Sequence, residues 1–403
     1  MKKTLAALAV LSAFAGSAIA ADVTLYGRVD LGLRYTNIDR DINGQDDENT
    51  FEMATGNYTG NRFGLKGTEE LGNGLKVGFV LENGFNADDG SLNSDGDIFD
   101  REAQVKIMGN FGEIGLGRSS ILASDAGSYG IGGGFTPFGT GWGDVGSQSL
   151  LWGAGISSRY DNMLTYVTPE FAGFKIYAQY SFGDGSGDEN KSTSNRYYGI
   201  GATYTNGGLN LLAVVDSVNK KSNPELEING KDTPIANADV KDTVRAIVGG
   251  SYDFGVVKPF LSVGYFKDGK IGDMGGIYDF DEDFGDIDAP QVVNIADAMS
   301  YLYFDGFSVA LGADAPLFGG TLHGVVGYLD ADSDRSVWGS YSDMDLGKID
   351  FKRWMVGVGY DYNLSKRTVV YVDAGYAQDK IEFEGDSLKP SMFQAALGMV
   401  HYF

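Results

Sequence analysis

The chain has 403 residues, a formal net charge of −24 at pH 7 and no cysteine. The acidic balance argues against nucleic acid as a partner, because binding to phosphates depends on basic side chains. Without cysteine, no disulfide framework can stabilise the fold. With 60 residues, glycine is about twice as frequent as in an average protein.

The first twenty residues have the features of an export signal. Lys2 and Lys3 give a positive start, residues 4–14 are apolar, and Ala18-Ile19-Ala20 provides small residues before a cleavage point. The apolar run is too short to span a bilayer as a helix, and no later run approaches the required length of about 18 residues. The sequence predicts a cleaved signal peptide over 1–20 and one β-domain over 21–403.

An alternation with a period of two residues dominates the rest of the chain. Between Val23 and Arg34, the odd positions are apolar or glycine, whereas Arg28 and Asp30 lie on the other face. The same pattern returns around Phe79 and again late in the chain. Such alternation indicates strands with one apolar and one wet face. No segment shows an apolar stripe with helical spacing.

The pattern predicts sixteen strands, at roughly 23–35, 58–70, 75–86, 98–108, 111–118, 158–168, 173–183, 195–205, 208–217, 241–253, 257–267, 298–313, 319–330, 352–363, 367–378 and 392–403. Eight long polar loops alternate with seven short turns, and both termini lie on the side of the short turns. This layout is typical of an antiparallel outer-membrane barrel with an even number of strands. A barrel of about 16 strands encloses an aqueous channel, which explains the charged residues within strands.

The connection Ser119–Ser157 is the candidate functional element. It holds eleven glycines, no Lys or Arg, and two acids, Asp125 and Asp144. Structureless loops of this length are uncommon in a compact domain unless they are functional. The alternatives are a surface loop over the mouth of the barrel and a loop folded inward to narrow a pore.

Several short motifs, taken in order, resemble the general porins of Gram-negative outer membranes, particularly the neisserial and β-proteobacterial branch. The matching segments are Val23–Arg28, Asn61–Glu70, Gly115–Arg118, Arg159–Asn162, Pro169–Phe174 and the terminal Phe403. The resemblance implies a sixteen-stranded barrel in the outer membrane, surrounded by lipid and lipopolysaccharide. It also implies a homotrimer that lets small hydrophilic solutes and ions diffuse passively.

The resemblance further implies that the third long loop, Ser119–Ser157, folds into the lumen opposite a basic cluster. By position, this cluster falls on Arg28, Arg62, Lys66, Arg101 and Arg159. The alternation independently puts all of them except Arg101 on the wet face. Arg101 shares the parity of apolar neighbours, so it faces inward only if its strand starts beyond it or contains a bulge.

The loop acids Asp125 and Asp144 are predicted to oppose the basic cluster across the pore. The loop lacks the Pro-Glu-Phe-Gly-Gly stretch and the several acids of enterobacterial relatives, so their cation preference is not carried over. Phe403, at the end of a terminal strand with an apolar stripe, is predicted to be an assembly signal.

Two other functions stay open at this point. A solute-specific porin would use aromatic side chains of the loop as a sugar-stacking track, namely Phe135, Phe138, Trp142 or Trp152. A plugged structural or adhesive barrel would instead bind a partner through its acidic loops.

No catalytic, cofactor or metal site is predicted. The two histidines, His323 and His401, lie in separate strands, and no Ser-His-acid grouping is visible. The acidic run Asp279–Gly285 fails the pattern of a calcium loop, because Pro290 stands where the bidentate glutamate belongs. We interpret it as a surface loop that binds divalent cations loosely at most.

Overall fold

A computed structural model describes residues 23–41, 46–94, 96–139, 147, 151, 156–183, 194–220, 225–228, 231–234, 241–271, 302–333, 348–383 and 385–403. The predicted signal peptide, the acidic run Asp279–Gly285 and three loop residues, Trp142, Asp144 and Trp152, lie outside these residues. In the described part of the chain, no helix is long and apolar enough to cross a membrane.

The described residues form twenty strands. In chain order they are β1 (Thr24–Asp39), β2 (Glu48–Thr55), β3 (Arg62–Gly72), β4 (Leu75–Gly84), β5 (Glu102–Gly109), β6 (Gly112–Ser120), β7 (Arg159–Val167), β8 (Phe174–Ser181), β9 (Arg196–Asn206), β10 (Leu209–Asn219), β11 (Glu225–Ile228), β12 (Lys231–Pro234), β13 (Thr243–Tyr252), β14 (Lys258–Gly269), β15 (Phe304–Leu317), β16 (Gly320–Ser333), β17 (Asp350–Ser365), β18 (Thr368–Phe383), β19 (Asp386–Leu388) and β20 (Ser391–Tyr402). A single 3₁₀ turn over Gly132–Gly134 accompanies them in the described ranges.

Sixteen of these strands, all except β2, β11, β12 and β19, form one closed antiparallel barrel. Each pairs with the next along the chain, and β1 closes the ring against β20, from Arg28 opposite Tyr402 to Asp39 opposite Ser391. Closure matters because lipid cannot hydrogen-bond a free sheet edge. The predicted barrel of sixteen antiparallel strands is confirmed.

The two faces of the barrel differ as the alternation predicts. The outer face carries exposed apolar side chains, such as Leu25, Val105 and Val358. The inner face carries buried polar and charged ones, such as Asp30 and Arg353. This is the reverse of a soluble protein, because the apolar surface meets lipid and the polar surface meets the lumen.

The strand predicted over 58–70 begins later than expected. The C-terminal part of β1 pairs with β2, and this ladder begins at Leu31 opposite Thr55. The N-terminal part of β1 pairs with β3, and that ladder ends at Arg28 opposite Arg62. Residues 56–61 leave the ladder between these two strands, and we call them the inward turn. The predicted start at 58 is four residues early, which is the size of error expected for strand ends.

Candidate functional site

The third long loop follows β6 and lies against the inner wall of the barrel. The Leu122 N–H donates to Gln179 Oε1 on β8 at 3.1 Å. Further along, Pro137 packs beside Gly312 on β15, and the Phe138 ring centroid is 5.9 Å from that of His323 on β16. These partners all lie on inward-facing positions. Residues 121–139 therefore line the interior rather than cover the mouth.

The start of the loop is also held on the strands that precede it. The carboxylate of Glu102, the first residue of β5, accepts hydrogen bonds from the Ser128 N–H at 2.6 Å and from its hydroxyl at 3.0 Å. The Tyr129 hydroxyl donates to Glu113 Oε1 on β6 at 2.8 Å. Anchors on two sides of the barrel hold the described part of the loop inside the lumen.

The predicted stacking role of Phe135 and Phe138 is wrong. Phe135 is 0% exposed and Phe138 is 4% exposed, so neither ring is open to a solute. Phe135 packs against Gly249 on β13, where an added Cβ would come within 2.8 Å of the ring. Both aromatic side chains fasten the loop to the wall, because burial of an aromatic ring against the wall is favourable.

The basic cluster is centred on Glu82, an inward-facing residue of β4. Its Oε1 lies 2.8 Å from Arg101 Nε and 3.6 Å from Arg62 Nη1. Its Oε2 accepts a hydrogen bond from the Tyr26 hydroxyl at 3.0 Å. Arg101 reaches this group because β5 begins only at Glu102, which fulfils the condition for an inward orientation.

Two further arginines lie close to this pair. Arg28 is the cross-strand partner of Arg62 in the β1–β3 ladder, and the charges of Arg28, Arg101 and Arg159 all act on Arg62. Arg159, the first residue of β7, has its Nη1 3.3 Å from the Ser158 hydroxyl. Four of the five predicted basic residues therefore meet in space.

Lys66 lies at the edge of this group. It faces the lumen four positions from Arg62 toward the β3–β4 turn, which is about 13 Å along a strand. Its Nζ lies 4.9 Å from the centroid of the Tyr26 ring, whose hydroxyl donates to Glu82. Tyr26 thus lies between Lys66 and the Glu82 carboxylate.

Of the predicted loop acids, Asp144 lies outside the described residues. Asp125 is exposed, and its carboxylate lies next to Gly139 of the same loop. Two other carboxylates lie beside the arginines on the wall itself, those of Glu82 and Glu102, which are cross-strand partners on β4 and β5. Neither was predicted from the sequence, although the alternation along β4 puts Glu82 on the wet face.

A second missed residue, Arg118, lies at the irregular end of β6. Its Nη1 is 2.5 Å from Asp161 Oδ1 on β7. Arg118 and Arg159 line a cavity of about 520 Å³ together with Lys220, which follows β10. Burial lowers the pKa of Lys220 below its usual range. The cavity thus continues from Arg159 past the Arg118–Asp161 ion pair to Lys220.

These features define a β-barrel channel of an outer membrane, with an apolar outer face, a closed sheet and a charged interior narrowed by a loop. Residues 7–382 match the Gram-negative porin family, and the chain belongs to this family. The predicted family and the predicted outer-membrane location are both confirmed. The chain is a porin, a channel for general diffusion across the outer membrane.

Individual relatives agree with this assignment over nearly the whole chain. An outer membrane porin protein of Bordetella pertussis is 33% identical over 94% of this chain and 95% of its own. Outer membrane porin protein 32 of Delftia acidovorans is 32% identical over 94% of this chain and 90% of its own. Among solved structures, an anion-selective porin from Comamonas acidovorans superposes with a TM-score of 0.63 and 26% identity, covering 95% of this chain and 100% of that one.

Proposed function

We propose that the narrowest part of the pore lies between the third loop and the cluster of Arg28, Arg62, Arg101 and Arg159, and that it favours small hydrophilic anions. The observation that carries this proposal is the convergence of four arginines on the inner wall, where Glu82 pairs with Arg62 and Arg101. Two further carboxylates, Asp100 and Glu102, lie near Arg159. Among the ion pairs of the described residues, Glu82 binds Arg62 and Arg101, and none involves Arg28 or Arg159. The guanidinium groups of Arg28 and Arg159 therefore present positive charge to the lumen.

The overall charge of −24 does not contradict an anion preference. Charges further apart than a Debye length of about 8 Å are largely screened at physiological ionic strength. Within a narrow channel, walls of low dielectric constant focus the local field. The residues at the constriction therefore govern selectivity more than the acidic loops do. The relation to a porin described as anion-selective supports the same direction.

Planar-bilayer recordings across a KCl gradient test this proposal. A reversal potential on the anion side is the expected result, and one on the cation side would overturn the preference. A purified protein that never conducts would favour the plugged barrel instead. Block of the current that saturates with a sugar would favour a solute-specific porin.

We also propose that the chain assembles as a homotrimer with its outer face against outer-membrane lipid and lipopolysaccharide. The outer side of β2 carries Phe51 and Met53, which are 71% and 54% exposed in the single chain. A contact between subunits would cover them. Crosslinking in mild detergent that yields only monomer would contradict the trimer.

A further inference from the structure

The inward turn is a four-residue insertion into a wall strand. Thr55 pairs with Leu31 and Arg62 pairs with Arg28, so the six residues 56–61 stand opposite only Val29 and Asp30. A continuous strand would need two residues there. The surplus projects to the inner side of β1.

The backbone groups next to this interruption are hydrogen-bonded. The Gly56 N–H donates to the Asp30 carbonyl at 3.0 Å, and the Asp30 N–H donates to the side-chain oxygen of Asn61. Gly56 has a φ of +69°, a conformation that glycine adopts without strain. The turn is thus a built feature, because Asn61 replaces the missing ladder acceptor.

From β1, the inward turn reaches across β20 to the next two strands of the barrel. The Asn57 side-chain amide donates to Asp373 Oδ1 on β18 at 2.8 Å. The Tyr58 hydroxyl donates to Asp361 Oδ2 on β17 at 3.2 Å. The Thr59 N–H donates to Asp30 Oδ2 at 2.8 Å. Three consecutive residues thus bind carboxylates on three different strands.

These three carboxylates are little exposed, and the turn shares in covering them. The Tyr371 hydroxyl also donates to Asp30 Oδ1 at 2.8 Å, and His323 Nε2 lies 3.2 Å from Asp361 Oδ2. Asp30 is 0% exposed, Asp373 is 5% exposed and Asp361 is 8% exposed, although each occupies an inward-facing position. The Tyr58 ring, 5.2 Å from that of Tyr371, adds an apolar layer over them. Without the turn, these wall carboxylates would be more open to the lumen, and Asp30 lies near enough to Arg28 for the two charges to interact.

The other end of the inward turn borders the arginines. The Gly60 carbonyl accepts a hydrogen bond from Arg62 Nε at 3.0 Å, and the Arg101 guanidinium lies beside Gly60. The turn therefore separates the positive part of the wall from the negative part. One face of the segment covers acids, and its end helps to hold the arginines in place.

We propose that the inward turn is a selectivity element, which shields Asp30, Asp361 and Asp373 from the lumen so that the arginine cluster sets the charge at the constriction. It also narrows the lumen beside the third loop. This inference rests on the proposed constriction. It assigns a role in anion preference to residues that do not themselves carry charge.

Deletion of residues 57–60 combined with Asn61→Val tests the proposal. In this variant Gly56 would pair with Asp30 and residue 61 with Val29, so Arg62 stays opposite Arg28 and keeps facing inward. Valine is needed because residue 61 would then face lipid. We expect a larger single-channel conductance and a reversal potential shifted toward the cation side.

Neutralising two of the three uncovered acids separates shielding from simple widening. Adding Asp30→Asn and Asp373→Asn to the deletion should return the reversal potential toward that of the full chain while the conductance stays high. The same two substitutions in the full chain should move the reversal potential much less. An equal shift in both backgrounds would overturn shielding as the cause.

A second variant covers the case in which the deletion fails to fold. The double substitution Asn57→Ala/Tyr58→Ala keeps the chain length and removes the bonds to Asp373 and Asp361, so it should shift the reversal potential in the same direction. Tyr58→Phe, which keeps the ring, is the matched control. Unchanged reversal potentials in every folded variant would overturn the inference. If the full chain itself shows no anion preference, that result counts against the proposed function. It does so whatever the difference in reversal potential between the variants and the full chain.

Discussion

Arg28 and Arg62 stand directly opposite one another in the β1–β3 ladder, and both face the lumen. Like charges at opposed positions of a sheet destabilise the pairing. Glu82, 3.6 Å from Arg62, offsets this repulsion only in part, since it also binds Arg101. Because the opposed arginines cost folding free energy, we infer that their charge serves the pore rather than the stability of the fold.

Replacing Arg62 and Arg159 together with glutamine should shift the reversal potential toward cations, because two of the four clustered charges disappear. The fold should survive, because Glu82, the buried carboxylate that loses Arg62, keeps Arg101 as its partner. Lys66→Gln is the matched control, because Lys66 shares the inner face but lies four residues from Arg62 along β3. A shift for Lys66→Gln as large as that of the double variant would show that position in the cluster does not matter.

Deletion of residues 130–144 should raise single-channel conductance, because it removes the part of the loop that runs from β10 toward β16. Conductance of single channels in a planar bilayer measures the effect. Nearly unchanged conductance would place the narrowest point of the lumen elsewhere.

Gly312→Val should lower conductance or destabilise the barrel. A Cβ at this position would lie 2.5 Å from Pro137 Cδ, so the loop must move away from the wall and into the lumen. Gly324→Ala is the control, because nothing lies within 4 Å of its added Cβ. Equal conductance and equal unfolding free energy for the two variants would contradict the close packing of the loop.

Arginine at Val358, which is 50% exposed on the outer face, should cost about 2–4 kcal/mol of folding free energy near the bilayer midplane. Leu31→Arg and Phe79→Arg should have similar effects, since both lie on the outward parity of their strands. Refolding into lipid vesicles with a denaturant titration measures the cost, and Val358→Leu is the control. Unchanged folding yields for all three arginine variants would contradict the registers.

Deletion of Phe403 should reduce insertion into the outer membrane and leave protein in the periplasm. Its N–H and carbonyl both bond Gly27 on β1, at 3.0 and 3.1 Å, so the residue extends the seam that closes the barrel. Phe403→Tyr keeps the backbone bonds and an aromatic ring, and should insert normally. Normal surface levels of the deletion would argue against an assembly signal at this residue.

Local alternation in the chain was enough to predict which residues share a face. Side chains alternate sides of a strand every residue, so Arg28, Arg62 and Val358 could be assigned to the inner or outer surface from local pattern alone. The strand count and the alternating loop lengths then predicted a closed barrel. Lipid cannot hydrogen-bond the free edge of an open sheet, so strands that cross a membrane must form a closed ring.

Which of those residues meet depends on the closed barrel. Glu82 joins Arg62 and Arg101 because of the registers of β3, β4 and β5, which no single strand specifies. Phe135 and Phe138 are buried because the loop packs against wall residues far along the chain, Gly249 and His323. Tyr58 reaches Asp361 across 303 positions of sequence, a contact that exists only once the barrel has closed. Local periodicity carries no information about such distances, so the inward turn and its covered acids could not be predicted.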